Sequence, residues 1–398
     1  MKVAFVVQRY GLEVNGGAEL LCRQVAERMV RFWDVEVLTT CAVDYMTWKN
    51  EYAPGLSTVN GVSVRRFQVD TPRDVRAFNK LSERVFFSPG TRAEEIEWMR
   101  AQGPCSSPFL DYLSQHAADY DFFLFFTYLY GTTFFGLPLV NGKAGLVPTA
   151  HDEPPIFLDI FRNLFKLPQV LLFNTPWEQQ FVNQRFGTAH ILQDVVGVGV
   201  EVPGNVDGDR FRARHEEALE GRDFLLYAGR VDESKGCREL ISHFARLRED
   251  LYEHPLKLVL IGTPVMELPE HPDIVPLGFV TEEEKFDALA AATVVILPSP
   301  YESLSIVALE AWALGQPVLA NGRCETLRMQ CAKSNGGLWY EDYLEFRATL
   351  ELLLRQPALR KCLGASGRQF VKDTYTWEIV EAKYRSLLDR ALSSARSP

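Results

Sequence analysis

Two glutamates eight residues apart, Glu302 and Glu310, are the strongest chemical feature of this sequence. An apolar run predicts a strand that ends near Pro298, and the pattern that follows predicts a helix over Leu304–Leu314, with Gly315 suited to its C-terminal cap. Glu302 then lies in the loop and Glu310 inside the helix. The two carboxylates cannot share one helical face, but both can accept hydrogen bonds from hydroxyl groups of one extended ligand.

The predicted helix start offers an anion site between the two glutamates. The backbone N–H groups of Ser303, Leu304 and Ser305 would be free at the positive end of the helix dipole, which suits a diphosphate. Alternatively, Glu302 is only an acidic residue favoured near a helix N-terminus, and Glu310 faces solvent. Glu310 stands among apolar residues, where a charge needs a partner, and this favours the ligand-binding interpretation.

A pair of cations follows an earlier predicted strand, Phe224–Ala228. Arg230 comes directly after this strand, and Lys235 closes the loop before the next helix. Two cations at the mouth of a strand suit a diphosphate leaving group, because they stabilise the negative charge that develops as a glycosidic bond breaks. The alternative is a solvated loop in which both cations pair with Asp232 and Glu233.

Two further motifs lie in the first half of the chain. Asn15, Gly16 and Gly17 follow the first strand, and glycines let the backbone approach a ligand closely; a tight turn before a helix is the alternative. The spacing is not G-x-G-x-x-G, which disfavours a nicotinamide-dependent dehydrogenase. His151 follows the predicted buried strand Ala144–Thr149 and precedes two acids and a Pro-Pro pair. This favours a role in a site over a purely structural histidine.

The sequence contains no convincing metal motif. Asp119/Asp121 and Asp207/Asp209 have the Asp-x-Asp spacing that metal-dependent transferases use. The first pair precedes its strand and the second lies in a predicted linker, so both indicate turns. No His/Cys cluster has zinc spacing. We therefore expect neither a cofactor nor a required metal ion.

These residues are positioned by two predicted series of alternating strands and helices. The first begins with an apolar strand over Lys2–Arg9, a helix over Ala18–Phe32 and a strand over Asp34–Thr40, which predicts a parallel sheet. The second begins at Phe224, after a Gly- and Asp-rich stretch (201–222) that we interpret as a linker. The predicted domains are residues 1–200, joined by a terminal helix at about 377–398, and residues 201–376. Ligands of such sheets bind beyond the carboxyl ends of the strands.

Composition excludes several classes of protein. The 398-residue chain has a net charge of -10 and no basic run, so we expect no nucleic-acid partner. Seven scattered cysteines without C-x-x-C spacing, and no signal peptide, predict a reduced cytoplasmic protein. The segment Phe122–Gly142 is uncharged and long enough to span a membrane, but its Gly, Pro and Thr residues favour a buried strand plus a loop.

Taken together, the motifs resemble the retaining family-4 glycosyltransferases of the bacterial glycan-biosynthesis type. The resemblance covers nearly the whole chain, and its most specific part is Glu302…Glu310 followed by the segment 311–318. It implies the α/β GT-B fold, with two Rossmann-like parallel-sheet domains that face each other across a cleft. It also implies that the final helix crosses back onto the N-terminal domain. One departure is Leu304-Ser305, where the family often has Phe-Gly.

The resemblance implies roles for the candidate residues of the second domain. Arg230 and Lys235 would bind the donor diphosphate, Glu310 the ribose hydroxyls and Glu302 the transferred sugar. The amides of Ser303, Leu304 and Ser305 would hold phosphate or sugar oxygens, and Val280 belongs to a segment whose backbone contacts the base.

In the first domain, the resemblance implies that Gly16 and Gly17 approach the donor phosphate and that His151 helps to hold the reacting hexose. The implied reaction is retaining transfer of a hexose from a nucleotide-diphosphate sugar to a hydroxyl of a glycan or lipid-linked acceptor, without a metal. The aromatic segment Phe157–Phe165 favours a buried core, with a lipid-linked acceptor or a weak peripheral contact with the inner face of a membrane as the alternative. The rival interpretations are another GT-B enzyme, such as a nucleotide-sugar epimerase or a phosphorylase, and an inactive sugar-nucleotide-binding protein.

Overall fold

The computed structural model describes residues 1–14, 16–88, 90–140, 142–250 and 255–396. The chain divides into two compact units, called unit 1 (Met1–Val198 with Val380–Pro398) and unit 2 (Gly199–Ile379). Both are α/β units built on a largely parallel sheet, which confirms the predicted fold class.

In the described part of the chain, unit 1 contains an eight-stranded sheet with the order β3-β4-β2-β1-β5-β6-β7-β8. Its strands are β1 (Lys2–Val6), β2 (Asp34–Thr40), β3 (Gly55–Val59), β4 (Val62–Phe67), β5 (Phe122–Phe126), β6 (Ala144–Val147), β7 (Val170–Phe173) and β8 (Leu192–Val195). The edge strand β3 pairs antiparallel with β4, and the neighbouring pairs between the other described strands are parallel. Strand β5 is entirely apolar and entirely buried, as a strand covered on both faces should be.

The strand order of unit 1 reverses between β1 and β5, because the chain crosses from β4 on one side to β5 on the other. Loops that follow these two strands therefore occupy the position where such sheets bind ligands. The helices of this unit are α1 (Gly17–Met29), α2 (Val75–Phe87), α3 (Arg92–Gln102), α4 (Ser107–His116), α5 (Gly131–Gly136), α6 (Phe161–Leu164) and α7 (Pro176–Phe186).

Across its described residues, unit 2 contains a six-stranded parallel sheet with the order β11-β10-β9-β12-β13-β14. Its strands are β9 (Asp223–Ala228), β10 (Leu256–Ile261), β11 (Ile274–Gly278), β12 (Val294–Leu297), β13 (Val318–Asn321) and β14 (Gly337–Tyr340). Here the order reverses between β9 and β12, so these two strand ends mark the expected ligand position.

The helices of unit 2 are α8 (Gly208–Arg214), α9 (Glu216–Leu219), α10 (Cys237–Asp250), α11 (Glu282–Ala291), α12 (Ile306–Ala313), α13 (Glu325–Ser334), α14 (Tyr343–Arg355) and α15 (Pro357–Thr374). The last helix, α16 (Trp377–Arg396), begins at the end of unit 2 and belongs to unit 1 from Val380 onward. Within unit 1, Lys383 of this helix donates to the Val195 carbonyl at 2.8 Å, and Glu381 forms an ion pair with Arg31.

The structure corrects one prediction about the stretch 201–222. We interpreted it as a linker, but it forms helices α8 and α9. Two apolar side chains in it, Phe211 and Leu219, are almost fully buried, and Arg210 forms a bidentate ion pair with the buried Asp287 of α11. Its many polar residues hid these sparse apolar anchors.

The uncharged segment Phe122–Gly142 forms strand β5 and the short helix α5. Among the described residues, no helix is long and apolar enough to cross a membrane. Most of the apolar side chains in Phe157–Phe165 are buried, and Phe157 is the half-exposed exception.

Candidate functional site

An ion pair between Lys235 and Glu302 lies at the strand reversal of unit 2. Lys235 belongs to the loop after β9 and Glu302 to the loop after β12, and the Nζ–Oε1 distance is 2.8 Å. Burial alone would lower the pKa of Lys235, but the charge and hydrogen bond of Glu302 outweigh it and raise that pKa. The structure therefore brings together two predicted site residues that are 67 positions apart in the sequence.

Arg230 is organised by Asp232 in the same loop. The guanidinium forms an ion pair with Asp232, whose other oxygen accepts hydrogen bonds from Ser234 Oγ at 2.6 Å and from the Lys235 amide at 3.0 Å. Burial raises the pKa of Asp232, but these hydrogen bonds and the charge of Arg230 lower it overall. Arg230 thus forms an ion pair with Asp232, as the alternative interpretation of a solvated loop predicts. The Arg230 side chain is nevertheless 31% exposed, so a ligand can reach it.

Gly236 lets this loop come close to the end of β12. It has a φ of 75°, in the left-handed region, and a Cβ at this position would collide with the Pro298 carbonyl oxygen. The loop that carries both cations is therefore held against the strand that leads to Glu302.

The helix between the two glutamates begins later than predicted. Helix α12 starts at Ile306, because the Ser305 hydroxyl caps it by accepting the Ala308 amide at 3.3 Å. Ser303 and Leu304 therefore lie in the loop before the helix rather than in its first turn. The donor contacts predicted for the amides of residues 303–305 remain a prediction, now assigned to this loop.

Glu310 is the buried carboxylate of the site, with 5% of its surface exposed. Its Oε1 accepts a hydrogen bond from Lys285 Nζ at 2.7 Å. Its Oε2 is buried and has no hydrogen-bond partner among the described residues. Burial raises the pKa of Glu310, and the ammonium of Lys285 opposes this shift. An unsatisfied, buried carboxylate oxygen of this kind is a ready acceptor for a ligand hydroxyl.

The sequence interpretation missed Lys285. It lies on α11, whose first turn consists of three consecutive glutamates, Glu282 to Glu284, so nothing in the local sequence singles it out. The sequence did carry a signal for a residue of this kind, because the buried carboxylate of Glu310 needs a cation as its partner. The sequence does not say which lysine supplies it, because the pairing depends on how α11 packs beside α12.

Val280 lies two residues beyond β11 and directly before the Thr281 cap of α11. Gly278, at the end of that strand, has a φ of 69° and turns the chain there. The predicted contact of this segment with the base concerns its backbone and stays a prediction.

In unit 1, Gly16 and Gly17 form the start of α1. A Cβ at Gly16 would collide with the carboxylate of Glu19, whereas a Cβ at Gly17 would meet open space. Glu19 is buried and accepts a hydrogen bond from Arg9 Nε at 2.8 Å, which ties the helix start to the chain just after β1. Asn15, the first residue of the predicted motif, lies outside the described residues.

His151 follows β6 in a turn that begins at Thr149, whose φ is 51°. The imidazole is partly buried, and its Nδ1 lies 3.7 Å from Glu153 Oε1. The same oxygen of Glu153 accepts a hydrogen bond from the Tyr128 hydroxyl at 2.9 Å.

A second residue missed by the sequence interpretation, Glu178, supports this turn. It is fully buried on α7, and its two oxygens accept the amides of Ala150 and Asn174, each at 2.6 Å. It thereby joins the residue before His151 to the end of β7. Burial raises the pKa of Glu178 to about 8.

The two Asp-x-Asp pairs have structural contacts. Asp121 accepts the Lys2 amide at 2.8 Å, and Asp207 caps α8. No group of three or more metal-ligating side chains occurs within the ranges that the structure describes.

Known proteins with similar sequences identify the family of this chain. A family model described as "Glycosyl transferases group 1" matches residues 222–356. D-inositol 3-phosphate glycosyltransferase 1 of Catenulispora acidiphila is 30% identical over 284 residues, which cover 64% of this chain and 68% of that protein. D-inositol 3-phosphate glycosyltransferase of Pseudarthrobacter chlorophenolicus is 29% identical over 49% of each chain. The alignments span about half the length of the first curated relatives.

Solved structures resemble the whole chain. Sucrose-phosphate synthase from Thermosynechococcus elongatus has a TM-score of 0.73 at 17% identity, covering 99% of both chains. Anabaena HepE, solved in complex with UDP and glucose, has a TM-score of 0.69 at 14% identity, covering 98% of this chain and 100% of that one. At such low identity these likenesses establish the fold, which is of the GT-B type.

Proposed function

We propose that this chain, which belongs to the group 1 glycosyltransferase family, transfers a hexose-type sugar from a nucleotide-diphosphate sugar to a hydroxyl of a glycan or lipid-linked acceptor. The proposal includes retention of the anomeric configuration and a place in cytoplasmic polysaccharide or glycoconjugate biosynthesis. It also includes the family-4 classification that the motifs imply.

The observation that carries this proposal is the arrangement at the strand reversal of unit 2. Arg230 and the Lys235–Glu302 pair lie in the loops after β9 and β12, and α12 leads from there to the buried Glu310. Two cations suit a diphosphate, and two carboxylates suit the hydroxyls of a ribose and a hexose.

The proposed chemistry uses the leaving group as the base. The bond between the anomeric carbon and the diphosphate oxygen breaks, while the acceptor oxygen forms its bond to that carbon on the same face. The acceptor proton passes to the departing diphosphate, whose negative charge Arg230 and Lys235 stabilise. Glu302 positions the hexose, so the protein supplies mainly orientation and charge stabilisation. Metal independence belongs to the proposal, because two protein cations take the part that a metal would play.

The test is release of nucleoside diphosphate from a panel of UDP-, GDP-, ADP- and dTDP-hexoses in the presence of candidate acceptors. Arg230→Ala should lower kcat/KM by roughly 100- to 1000-fold, because a charge-stabilising group of the transition state is lost. Arg238→Ala is the matched control: Arg238 pairs with the loop's Glu233 but is 66% exposed, and its removal should leave the rate nearly unchanged.

Near-normal turnover by Arg230→Ala would refute the assigned role. Loss of activity in EDTA that manganese restores would refute metal independence. Nucleotide release that requires an acceptor would exclude an epimerase, and any turnover would exclude an inactive binding protein.

A further inference from the structure

A cavity in unit 1 lies in the loops beyond the carboxyl ends of the sheet. Its volume is about 330 Å³, near the lower end of small-molecule sites. It is lined by polar or aromatic side chains of Tyr45, Arg73, Phe78, Asn79, Gln102 and Tyr130, with three apolar residues between them. Tyr130 follows β5, one of the two strands at which the order of this sheet reverses.

The guanidinium of Arg73 is fixed in this cavity. The Cζ atom of Arg73 lies 4.8 Å from the ring centre of Trp48 and 4.5 Å from the ring centre of Phe78. Nη1 donates to the Tyr45 carbonyl at 3.1 Å, and Nη2 donates to the Gln102 carbonyl and, at 3.1 Å, to Gln102 Oε1. The Nε group is buried without a hydrogen-bond partner among the described residues, so it is left to donate to a ligand. A planar cation held between rings and carbonyl groups is preorganised, so a ligand does not have to order it.

The charge of Arg73 has no acidic partner in the cavity. None of the described lining residues is Asp or Glu, and no ion pair of the described chain includes Arg73. The nearby Asp44 is committed to its own turn, where it accepts the amides of Met46 at 3.1 Å and Thr47 at 3.0 Å. Burial lowers the pKa of Arg73 to about 10, so the group stays protonated at neutral pH.

The other polar groups also favour an acceptor of hydrogen bonds as the ligand. Gln102 is buried, and Arg73 occupies its amide oxygen, so its NH₂ group is left as a donor. Asn79 and the Tyr130 hydroxyl add two more groups that can donate. A cavity rich in donors, with one cation and no carboxylate, suits an oxyanion.

The cavity is also close to the start of α1, because Arg9, which binds Glu19, lies 5.6 Å from the ring centre of the lining residue Tyr45. Burial raises the pKa of Tyr130 strongly, Glu19 adds to this shift, and Arg9 and Arg73 oppose it; Glu153 makes a smaller contribution in the same direction as Glu19. The Glu19 carboxylate lies against Gly16, and Glu153 Oε1 lies 3.7 Å from His151 Nδ1. A ligand beside Tyr130 therefore lies within electrostatic reach of both motifs.

We propose that this cavity binds the acceptor, and that the acceptor presents one sugar ring bearing an oxyanion, either a phosphate ester or a carboxylate, to Arg73 and Gln102. The aromatic side chains would pack against the ring, and the volume suits one ring rather than a long glycan segment. The inference rests on the proposed function, since it names the acceptor class of that reaction.

The test is calorimetric titration of the full chain with glucose 6-phosphate, glucuronate, glucose and inorganic phosphate. Arg73→Gln removes the cation. Gln102→Glu gives Arg73 an internal carboxylate partner, which occupies the oxyanion position and leaves the cation paired. Arg84→Gln is the matched control, because Arg84 is an arginine of the same unit with 56% of its side chain exposed.

We expect one of the two charged sugars to bind at least about 10-fold more tightly than glucose, as one charge-assisted hydrogen bond would allow. Arg73→Gln and Gln102→Glu should each abolish this preference, and Arg84→Gln should keep it. The stronger of the two charged sugars identifies the source of the oxyanion. If Arg73→Gln does not fold, Gln102→Glu decides.

Equal binding of glucose and both charged sugars would overturn the inference, as would an unchanged preference in Gln102→Glu. If inorganic phosphate binds as tightly as the charged sugars, the cavity does not recognise a sugar ring, and that part of the inference is wrong. A parallel titration with nucleotide sugars separates the two proposals: donor binding without acceptor binding contradicts only this inference, and absence of donor binding contradicts the proposed function.

Discussion

Two buried glutamates, Glu178 in unit 1 and Glu310 in unit 2, solve the same physical problem in different ways. Glu178 satisfies both oxygens with backbone amides, at 2.6 Å each, and no ion pair of the described chain involves it. Glu310 takes the ammonium of Lys285 on one oxygen and leaves the other buried without a partner. A completed set of hydrogen bonds indicates a structural role, and an incomplete one indicates a place for a ligand.

Among the variants that test this comparison of the two glutamates, Glu310→Gln should have the largest effect. The amide keeps the shape but loses the charge that strengthens hydrogen bonds to ribose hydroxyls, so kcat/KM for the donor should fall by about 10- to 100-fold. Donor titration and steady-state kinetics measure this change. Glu178→Gln is the matched variant and should leave donor affinity unchanged; equal losses in the two variants would contradict the comparison.

Removal of the cation, in Lys285→Met, should make the donor KM depend on pH. Lys285 opposes the rise in the pKa of Glu310 caused by burial, so without it that pKa rises further. A neutral carboxyl binds the ribose hydroxyls less tightly, so as the pH is lowered the donor KM of Lys285→Met should increase by about 10-fold at a higher pH than in the wild type. Lys285→Arg restores the charge and should restore the wild-type profile; a wild-type profile in Lys285→Met would show that Glu310 does not depend on this pair.

Glu178→Gln should change the pH dependence of stability instead. The unfolded chain releases this proton near the ordinary pKa of 4.5, whereas the folded chain holds it until about pH 8. The folded state therefore binds more protons in between, and the free energy of unfolding falls as the pH rises through this window.

In the wild type this contribution amounts to roughly 3 kcal/mol between about pH 5.5 and pH 8. Denaturant unfolding at several pH values should show a smaller decline in Glu178→Gln than in the wild type. Glu217→Gln, at an exposed position of α9, serves as the control and should keep the full decline. If the free energy of unfolding declines equally with pH in the wild type and in both variants, a group other than Glu178 is responsible for the decline.

The smallest effect is expected from Gly17→Ala. A Cβ at Gly17 meets open space at the start of α1, so the free energy of unfolding should change by less than about 1 kcal/mol. Gly236→Ala, whose Cβ would collide with Pro298 in the left-handed turn, should destabilise unit 2 far more. If Gly17→Ala lowers activity without changing Tm, the open space at Gly17 belongs to a ligand.

Many of the strands and helices in both units could be predicted because their apolar runs are long and their ends carry turn residues. The missed strands, such as the exposed edge strand β3 and the mixed strand β8, bury few side chains and so lack a clear apolar pattern. The helices α8 and α9 were read as a linker for the same reason. The start of α12 was misplaced by two residues, because Ser303 and Ser305 are both good caps and only the packing of Leu304 selects the second.

The sequence alone predicts the chemical types at the site: one glutamate before a helix start and one inside the helix, and two cations in one loop after a strand. It also determined that a charge inside the apolar helix around Glu310 needs a partner. The partners of these groups follow from the packing of the fold: Lys235 with Glu302, Lys285 with Glu310, and Glu178 with the turn before His151. Local patterns report which face of an element is buried, whereas an ion pair depends on how separate elements pack, and that packing is a property of the whole sheet.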